Sequence, residues 1–267
     1  MKTIPATYIL LAAVFFASAP AMAAEGGGKT RFAVGCVNCG AFHYGKGRAT
    51  PEKFMAEWDR LAAEWPQDVF FYEDVGKVRQ PGEIAVKGLD IRARSRLKPE
   101  AVDVVKLPNE GEVNGAIRKS PRYRALRLTF RFGGRRLAVY GLHLVAEGHL
   151  SGSKTGSPDG LSPSQRLRQR QFKALIDDAR TFDAAIITGD FNAQVASEYD
   201  VFTSARFVIA NCSPAFGTTA TLRNIPADNI ILSPGLSFIS FEALDSYLLD
   251  TDHLPVAATV VIPKTSP

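Results

Sequence analysis

Six short runs rich in Val, Ile and Phe each meet a polar residue at one border, and this recurrence is what most restricts the possible folds of the chain. The borders are Asn38, Glu73, His143, Asp190 with Asn192, Asp228 just ahead of its run, and Asp252 with His253. Apolar runs this short, flanked by turn residues, read as buried strands rather than helices. Strands that repeatedly deliver Asn, Glu, Asp and His toward one edge assemble a place where a hard cation or a phosphate can be met. The pattern by itself requires a mixed α/β domain with many strands and few long helices.

Local signals fill in the order of elements. Residues 31–37 alternate loosely as a first strand, and Asn38-Cys39-Gly40 stops it. Thr50 then serves as N-cap and Pro51 as the first position of a helix whose apolar face is Phe54, Trp58, Leu61 and Trp65, with Pro66 at its end. Residues 68–72 form a β-rich run, and residues 84–105 suggest two or three strands. The clearest hairpin joins residues 126–132 to 135–142 through Gly133-Gly134, a pair suited to a primed turn. After a Gly/Ser-rich stretch at 147–161, Ser162-Pro163-Ser164-Gln165 reads as a capping box opening a helix that buries Leu167, Phe172, Leu175, Ile176 and Ala179. A strand through Ile186, a long irregular stretch to Asn224, a strand at 229–232 and a last strand after Pro255 complete the chain.

One of the middle strands has a basic face: Arg92, Arg94, Arg96 and Lys98 alternate with Ile91, Ala93, Ser95 and Leu97, so in a strand all four cations point one way. Such a face is either a solvated edge that discourages aggregation or a wall that tracks phosphates. His43 and His149 sit in Gly-rich loops and read as surface residues.

At 267 residues, 46% hydrophobic and 22% charged, the chain suits one globular domain, expected over 31–263. Residues 1–23 read as a signal peptide: Lys2 is the one charge, residues 8–17 are apolar, and Ala21-Met22-Ala23 offers a cleavage pattern. Residues 24–30 then form a Gly-rich tether, and the mature protein is expected to be secreted or periplasmic. No later segment is apolar enough to span a membrane. Losing Lys2 takes the formal net charge from +5 to +4, a mild surplus that favours phosphate-rich partners. Cys36 and Cys39 cannot bridge while both lie in an extended strand, since three strand steps span roughly 10 Å. A bridge between them requires the strand to end by Val37, and Cys212 could pair with either.

Five fragments, in order, resemble the endonuclease/exonuclease/phosphatase family, whose members include DNase I, AP endonucleases, inositol polyphosphate phosphatases and bacterial sphingomyelinases. Gly189-Asp190-Phe191-Asn192 is similar to its GDFN signature, and Thr251-Asp252-His253-Leu254-Pro255-Val256 to its SDHxPV signature. Asp68 through Val75, Gly141-Leu142-His143-Leu144 and Pro226 through Ser233 are similar to three further motifs. Val37 stands where the first motif carries Trp, Tyr72 where Gln is usual, and Thr251 where Ser is usual.

The resemblance implies a DNase I-like fold, a four-layer α/β/β/α sandwich of two mostly antiparallel sheets. It implies that Glu73 holds Mg²⁺, with Mn²⁺ able to substitute, while Asn38 orients the metal or phosphate and Asp252 lies near the metal. Asp190 would orient or deprotonate water, Asn192 would bond a phosphoryl oxygen, and His253, polarised by Asp228, would stabilise the transition state or transfer a proton. His143 would contact the phosphate or protonate the leaving oxygen. Its acidic partner has no motif match, although Glu110 and Glu112 lie in the relevant stretch. Arg122 or Arg124, and the strand cations Arg92, Arg94 and Arg96, are candidates for substrate phosphates. The expected function is a secreted metal-dependent phosphodiesterase, an endonuclease with DNA or RNA as its nucleic-acid substrate. The alternatives are a phosphatase or phospholipase C-like hydrolase of inositol phosphates or sphingomyelin, and a catalytically silent binding module or toxin subunit.

Overall fold

Two six-stranded sheets face each other across an apolar interior, and the alternation of side chains along their strands sets everything that follows. The structure, a computed structural model, describes residues 31–40, 51–75, 81–113, 115–119, 124–150, 159–222, 224–244 and 251–264. The expected signal peptide and tether, His43, the Thr50 cap, Arg122 and the side chains of Phe54, Trp58 and Glu112 lie outside the described residues.

Numbered along the chain, the first sheet contains β1 (Arg31–Asn38), β2 (Val69–Glu73), β3 (Ile84–Ala85), β4 (Ile91–Ser95), β13 (Ser237–Ala243) and β14 (Val256–Val261). Their spatial order is β13-β14-β1-β2-β4-β3. The second contains β5 (Ala101–Lys106), β8 (Arg124–Phe132), β9 (Arg135–His143), β10 (Ala184–Asp190), β11 (Val208–Ile209) and β12 (Asp228–Leu232), in the order β11-β12-β10-β9-β8-β5. A separate ribbon pairs β6 (Glu110–Val113) with β7 (Ala116–Lys119). Each main sheet has one parallel pair, β1 with β2 and β9 with β10, and is otherwise antiparallel.

Between the sheets lie Phe32, Val34 and Cys36 of β1, Val69 and Phe71 of β2, Leu137 and Val139 of β9, Ile186 of β10, Ile230 of β12 and Val256 of β14. Burying each large side chain is worth about 1.5–3 kcal/mol. Outside the first sheet, Leu61 of α1 (Pro51–Glu64) and Trp65 pack on Val37, Phe70 and Tyr72. Outside the second, α2 (Pro163–Ala179) and α3 (Asp200–Ser204) cover Ala138, Tyr140, Leu142 and Ile187. This is the four-layer sandwich the resemblance implies.

The punctuation residues act as their chemistry dictates. Ser162 and Gln165 form a reciprocal capping box on α2, and Gly133 and Gly134 take φ of 58° and 83° in the β8–β9 turn. The strand β13 and the β6–β7 ribbon were not anticipated. The irregular stretch before Asn224 contains a short 3₁₀ turn (Ala196–Tyr199), α3 and β11. Cys36, Cys39 and Cys212 are all free, and β1 runs through Asn38, which removes the condition a Cys36–Cys39 bridge would need.

The basic face needs correction. Pairing of β4 with β2 ends at Ser95, whose hydroxyl donates to the Leu97 carbonyl at 2.6 Å and accepts the Leu97 amide at 3.1 Å. That local turn leaves Arg96 and Lys98 beyond the strand. Arg92 is buried and pairs with Glu83 at 3.3 Å, and Arg94 pairs with Asp59 of α1 at 3.3 Å. Ile91 and Ala93 take the inner face, so these two arginines face the α1 layer.

At Gly189 the φ of 136° is disfavoured for side-chain-bearing residues, and a Cβ would sit on the Leu142 carbonyl oxygen of β9. Gly189→Ala is therefore expected to lower unfolding free energy by about 2–4 kcal/mol, measured by urea denaturation.

Candidate active site

The inward positions of the central strands, followed to one end of the sandwich, turn from apolar to polar. On β1 the series Phe32, Val34, Cys36 reaches Asn38, and on β2 Val69, Phe71 reaches Glu73. On β9 and β10 the same parity reaches His143 and Asp190, and β12 begins on it with Asp228. Register brings them side by side: Asn38 opposite Glu73, and Asp190 between His143 and Asp228. All five are buried, with Glu73 and Asp228 at 0% exposure. His253 joins them from the segment before β14, held by its own amide to the Thr251 hydroxyl at 3.2 Å. That hydroxyl in turn donates to the Asn38 carbonyl at 2.8 Å, so Thr251 links the His253 segment to β1.

Asp190 is the centre of the group. Its Oδ2 accepts from Asn38 Nδ2 at 2.8 Å and Asn192 Nδ2 at 2.9 Å, and its Oδ1 accepts the Asn192 amide at 2.7 Å. His143 Nε2 lies 3.4 Å and His253 Nε2 lies 3.9 Å from Oδ2. His253 Nδ1 meets Asp228 Oδ2 at 2.8 Å, which aims the opposite nitrogen at Asp190. Asn192 Nδ2 also donates to the Leu144 carbonyl at 3.1 Å, so both of its amide hydrogens are engaged in holding Asp190 and the β9 end. An acid beside His143 is thus Asp190, 3.4 Å from its Nε2; Glu110 lies in β6, on the separate ribbon.

A cleft of about 460 Å³ opens onto this cluster, lined by Asn38, His143, Asp190, Asn192, Asp252 and His253 from the expected set. Asp74, Glu147, Gln194, Leu222, Asn224 and Ile225 complete much of its wall and were not singled out from sequence. Two of them had a signal in the motifs: Gln194 comes two residues after Asn192, and Asp74 lies inside the fragment at 68–75, directly after Glu73. Glu73 stands behind the lining, and Arg92 and Arg94 face the other side of the sheet. Arg124 opens β8, with its guanidinium donating to the Gly88 carbonyl at 3.4 Å.

Burial raises the Glu73 carboxyl well above its ordinary value, reinforced by the charges of Asp228 and Asp190. Burial likewise pushes Asp190 up to about 6, while the charge on His253 pulls it down. For His253, burial disfavours the imidazolium, but Asp228 and Asp190 outweigh it and raise its pKa to about 9.

Both Glu73 oxygens and Asp228 Oδ1 are buried without a hydrogen-bond partner among the described residues. An unpaired buried carboxylate is costly unless it binds a proton or a cation. Ligand atoms of Asp190, Asp228 and His253 lie within 4.8 Å of one another. Carboxylate oxygens with orphaned lone pairs suit a hard divalent cation such as Mg²⁺.

No family model matches the sequence, and no curated protein matches it significantly. Solved structures do share the fold. The human Nocturnin catalytic domain with bound sulfate anion aligns at a TM-score of 0.64 and 17% identity, over 88% of this chain and 96% of that one. An endonuclease/exonuclease/phosphatase from Beutenbergia cavernae aligns at 0.61 and 15%, over 88% and 72%. D. rerio TDP2 complexed with single strand DNA product aligns at 0.60 and 14%, over 87% and 99%. The fold is therefore that of endonuclease/exonuclease/phosphatase proteins.

Without metal, the raised Glu73 pKa means that the folded state holds a proton the unfolded chain has released, so stability falls as pH rises above the ordinary carboxylate range. Glu73→Gln in EDTA is expected to raise the melting temperature at pH 7.5 by about 2–5 °C and to have little effect near pH 4, read by differential scanning calorimetry.

Proposed function

We propose that this chain is a metal-dependent phosphodiesterase, exported after removal of residues 1–23, that hydrolyses nucleic acid as an endonuclease. The observation that carries the reading is the buried alignment of Asp228, His253 and Asp190 beside Glu73, whose oxygens lack hydrogen-bond partners among the described residues. The shared fold of a TDP2 bound to single strand DNA product supports nucleic acid as the substrate class.

A phosphodiester is anionic and repels hydroxide, so a hydrolase must neutralise the nonbridging oxygens, prepare a water in line and assist the leaving alkoxide. Glu73 would hold Mg²⁺ or Mn²⁺, with Asn38 orienting it and Asp252 near the metal, and the cation would supply charge neutralisation at the phosphate. Asp190, with a pKa of about 6, is ionised at neutral pH yet basic enough to take a proton from water. Asn38 and Asn192 fix both of its oxygens, so the carboxylate cannot rotate away from the cleft. His253 stays an imidazolium at neutral pH and offers its Nε2 proton to charge developing on the phosphoryl group. Asp228 fixes that orientation through Nδ1. His143 lines the cleft and can donate to the departing oxygen. Asn192 acts here through Asp190, because its amide hydrogens are engaged; bonding to a phosphoryl oxygen would require one of them to be released.

The mature protein is expected to nick supercoiled plasmid in Mg²⁺ or Mn²⁺, with activity lost in EDTA and reduced about 10²–10⁴-fold in Asp190→Ala or His253→Ala. Failure of a folded protein to cut DNA or RNA would sink the nuclease assignment and make inositol phosphates and phospholipids the next substrates to assay.

The rate should rise with pH as Asp190 ionises near 6 and fall as His253 loses its proton near 9. Asp228→Asn removes the neighbouring charge that holds the proton, so it should move the alkaline limb to lower pH, read from the pH–rate profile.

A further inference from the structure

Among the buried side chains of α2, Arg168 is the one that carries a charge: it has 0% exposure beside apolar Leu167, Phe172 and Leu175 and polar Gln165 and Gln171. Its guanidinium forks onto Glu198, with Nε 2.9 Å from Oε2 and Nη2 3.2 Å from Oε1. Nη1 donates to the Val145 carbonyl at 3.0 Å, and Nη2 also reaches Glu147 Oε2 at 3.2 Å. Val145 and Glu147 belong to the segment that leaves β9 just after His143. Glu198, itself 2% exposed, belongs to the segment that leaves β10 after Asp190 and Asn192. Its Oε1 accepts the Gln194 amide at 2.7 Å, and the Gln194 side chain returns to the Asn192 carbonyl at 3.1 Å. Gln165, the residue that closes the capping box of α2, donates to the same oxygen at 3.4 Å.

We infer that Arg168 is a positioning residue, whose buried fork on Glu198 clamps the two strand-end segments carrying His143 and Asn192 in one fixed relation. The inference deepens the hydrolase reading above and rests on it for its kinetic arm. Docking α2 does not require a charge at this position, because Leu167, Phe172 and Leu175 already anchor the helix. A desolvated ion pair is a poor source of net stability compared with apolar packing, and its best-attested use is to specify one arrangement. Here it specifies an arrangement four hydrogen bonds away from the Asp190 carboxylate: Arg168 to Glu198, Glu198 to Gln194, Gln194 to Asn192, and Asn192 to Asp190, its amide hydrogens holding Asp190 and Leu144. The planar fork matters as much as the charge, since a lysine ammonium cannot serve Glu198 bidentately and also reach Val145 and Glu147.

The test uses Arg168→Lys and Glu198→Gln in the full mature protein, with two readouts. Hydrogen–deuterium exchange should rise at least about tenfold in peptides covering 144–147 and 191–198 while the sheet core keeps its protection. An even rise across all peptides, or no local rise, would overturn the clamp, and this arm needs no activity. In the kinetic arm, with a chromogenic phosphodiester and Mn²⁺, Arg168→Lys should lower kcat about 10- to 100-fold with KM nearly unchanged. In an Asn192→Ala background the same substitution should cost clearly less, because only the route through Val145 and Glu147 toward His143 remains. Equal losses in both backgrounds would refute positioning through Asn192. A wild-type protein that hydrolyses no phosphoester would instead overturn the proposed function, and the exchange pattern alone would then decide the clamp.

Discussion

Side-chain parity is the constraint on which the molecule turns. The positions that pack Phe32, Phe71, Val139 and Ile186 between the sheets are the ones that, at the strand ends, present Asn38, Glu73, His143 and Asp190. A slip of one residue in β10 would leave the strand hydrogen-bonded while turning Asp190 toward α2 and Ile187 toward the other sheet. Packing therefore enforces the geometry of the site. The tight fit of Phe71 over Gly141, directly beneath His143 on the same face, helps to fix that register.

Electrostatically, the end of the sandwich is unbalanced by its own residues. Asp190 is well satisfied, accepting from two asparagine side chains and one backbone amide, whereas Glu73 and one oxygen of Asp228 have no hydrogen-bond partner among the described residues. Asp74 and Asn192, with φ of 55° and 52°, bend the chain away just after β2 and β10 in a conformation most residues avoid. Two residues in this conformation and the unpartnered carboxylate oxygens thus lie within a few residues of the cleft. That distribution suits a site completed by a cation and a phosphate.

Much of this was readable from the chain because the relevant signals are local. The strands around Ile186 and Ile230, the Gly133-Gly134 turn and the Ser162 capping box each depend on spacing within a few residues. The strand β13 escaped notice because a register shift between Phe238 and Ser240 breaks its alternation and both faces are partly exposed. Arg92 and Arg94 illustrate a different limit: alternation correctly put them on one face, but only the tertiary structure shows that α1 and Glu83 cover it. The engagement of both Asn192 amide hydrogens was equally hidden, since residue type reveals a donor without revealing its acceptor. Gln194, Glu147 and Asn224 reach the cleft from loops, where no periodicity marks them.

The pairing of Arg31 with Val261 has a consequence for how the domain can be handled. β1 runs toward the cleft and β14 runs away from it, so the chain enters and leaves the sandwich side by side at the pole opposite the site. Adjacent strands lie only about 4.8 Å apart, so a short linker could join those ends. Circular permutants opened at a distant turn such as Gly133-Gly134 would keep both parallel pairs intact. Fusion partners or surface tethers attached at either end of the domain would likewise project from the far pole, leaving the cleft open to a substrate as large as a polymer.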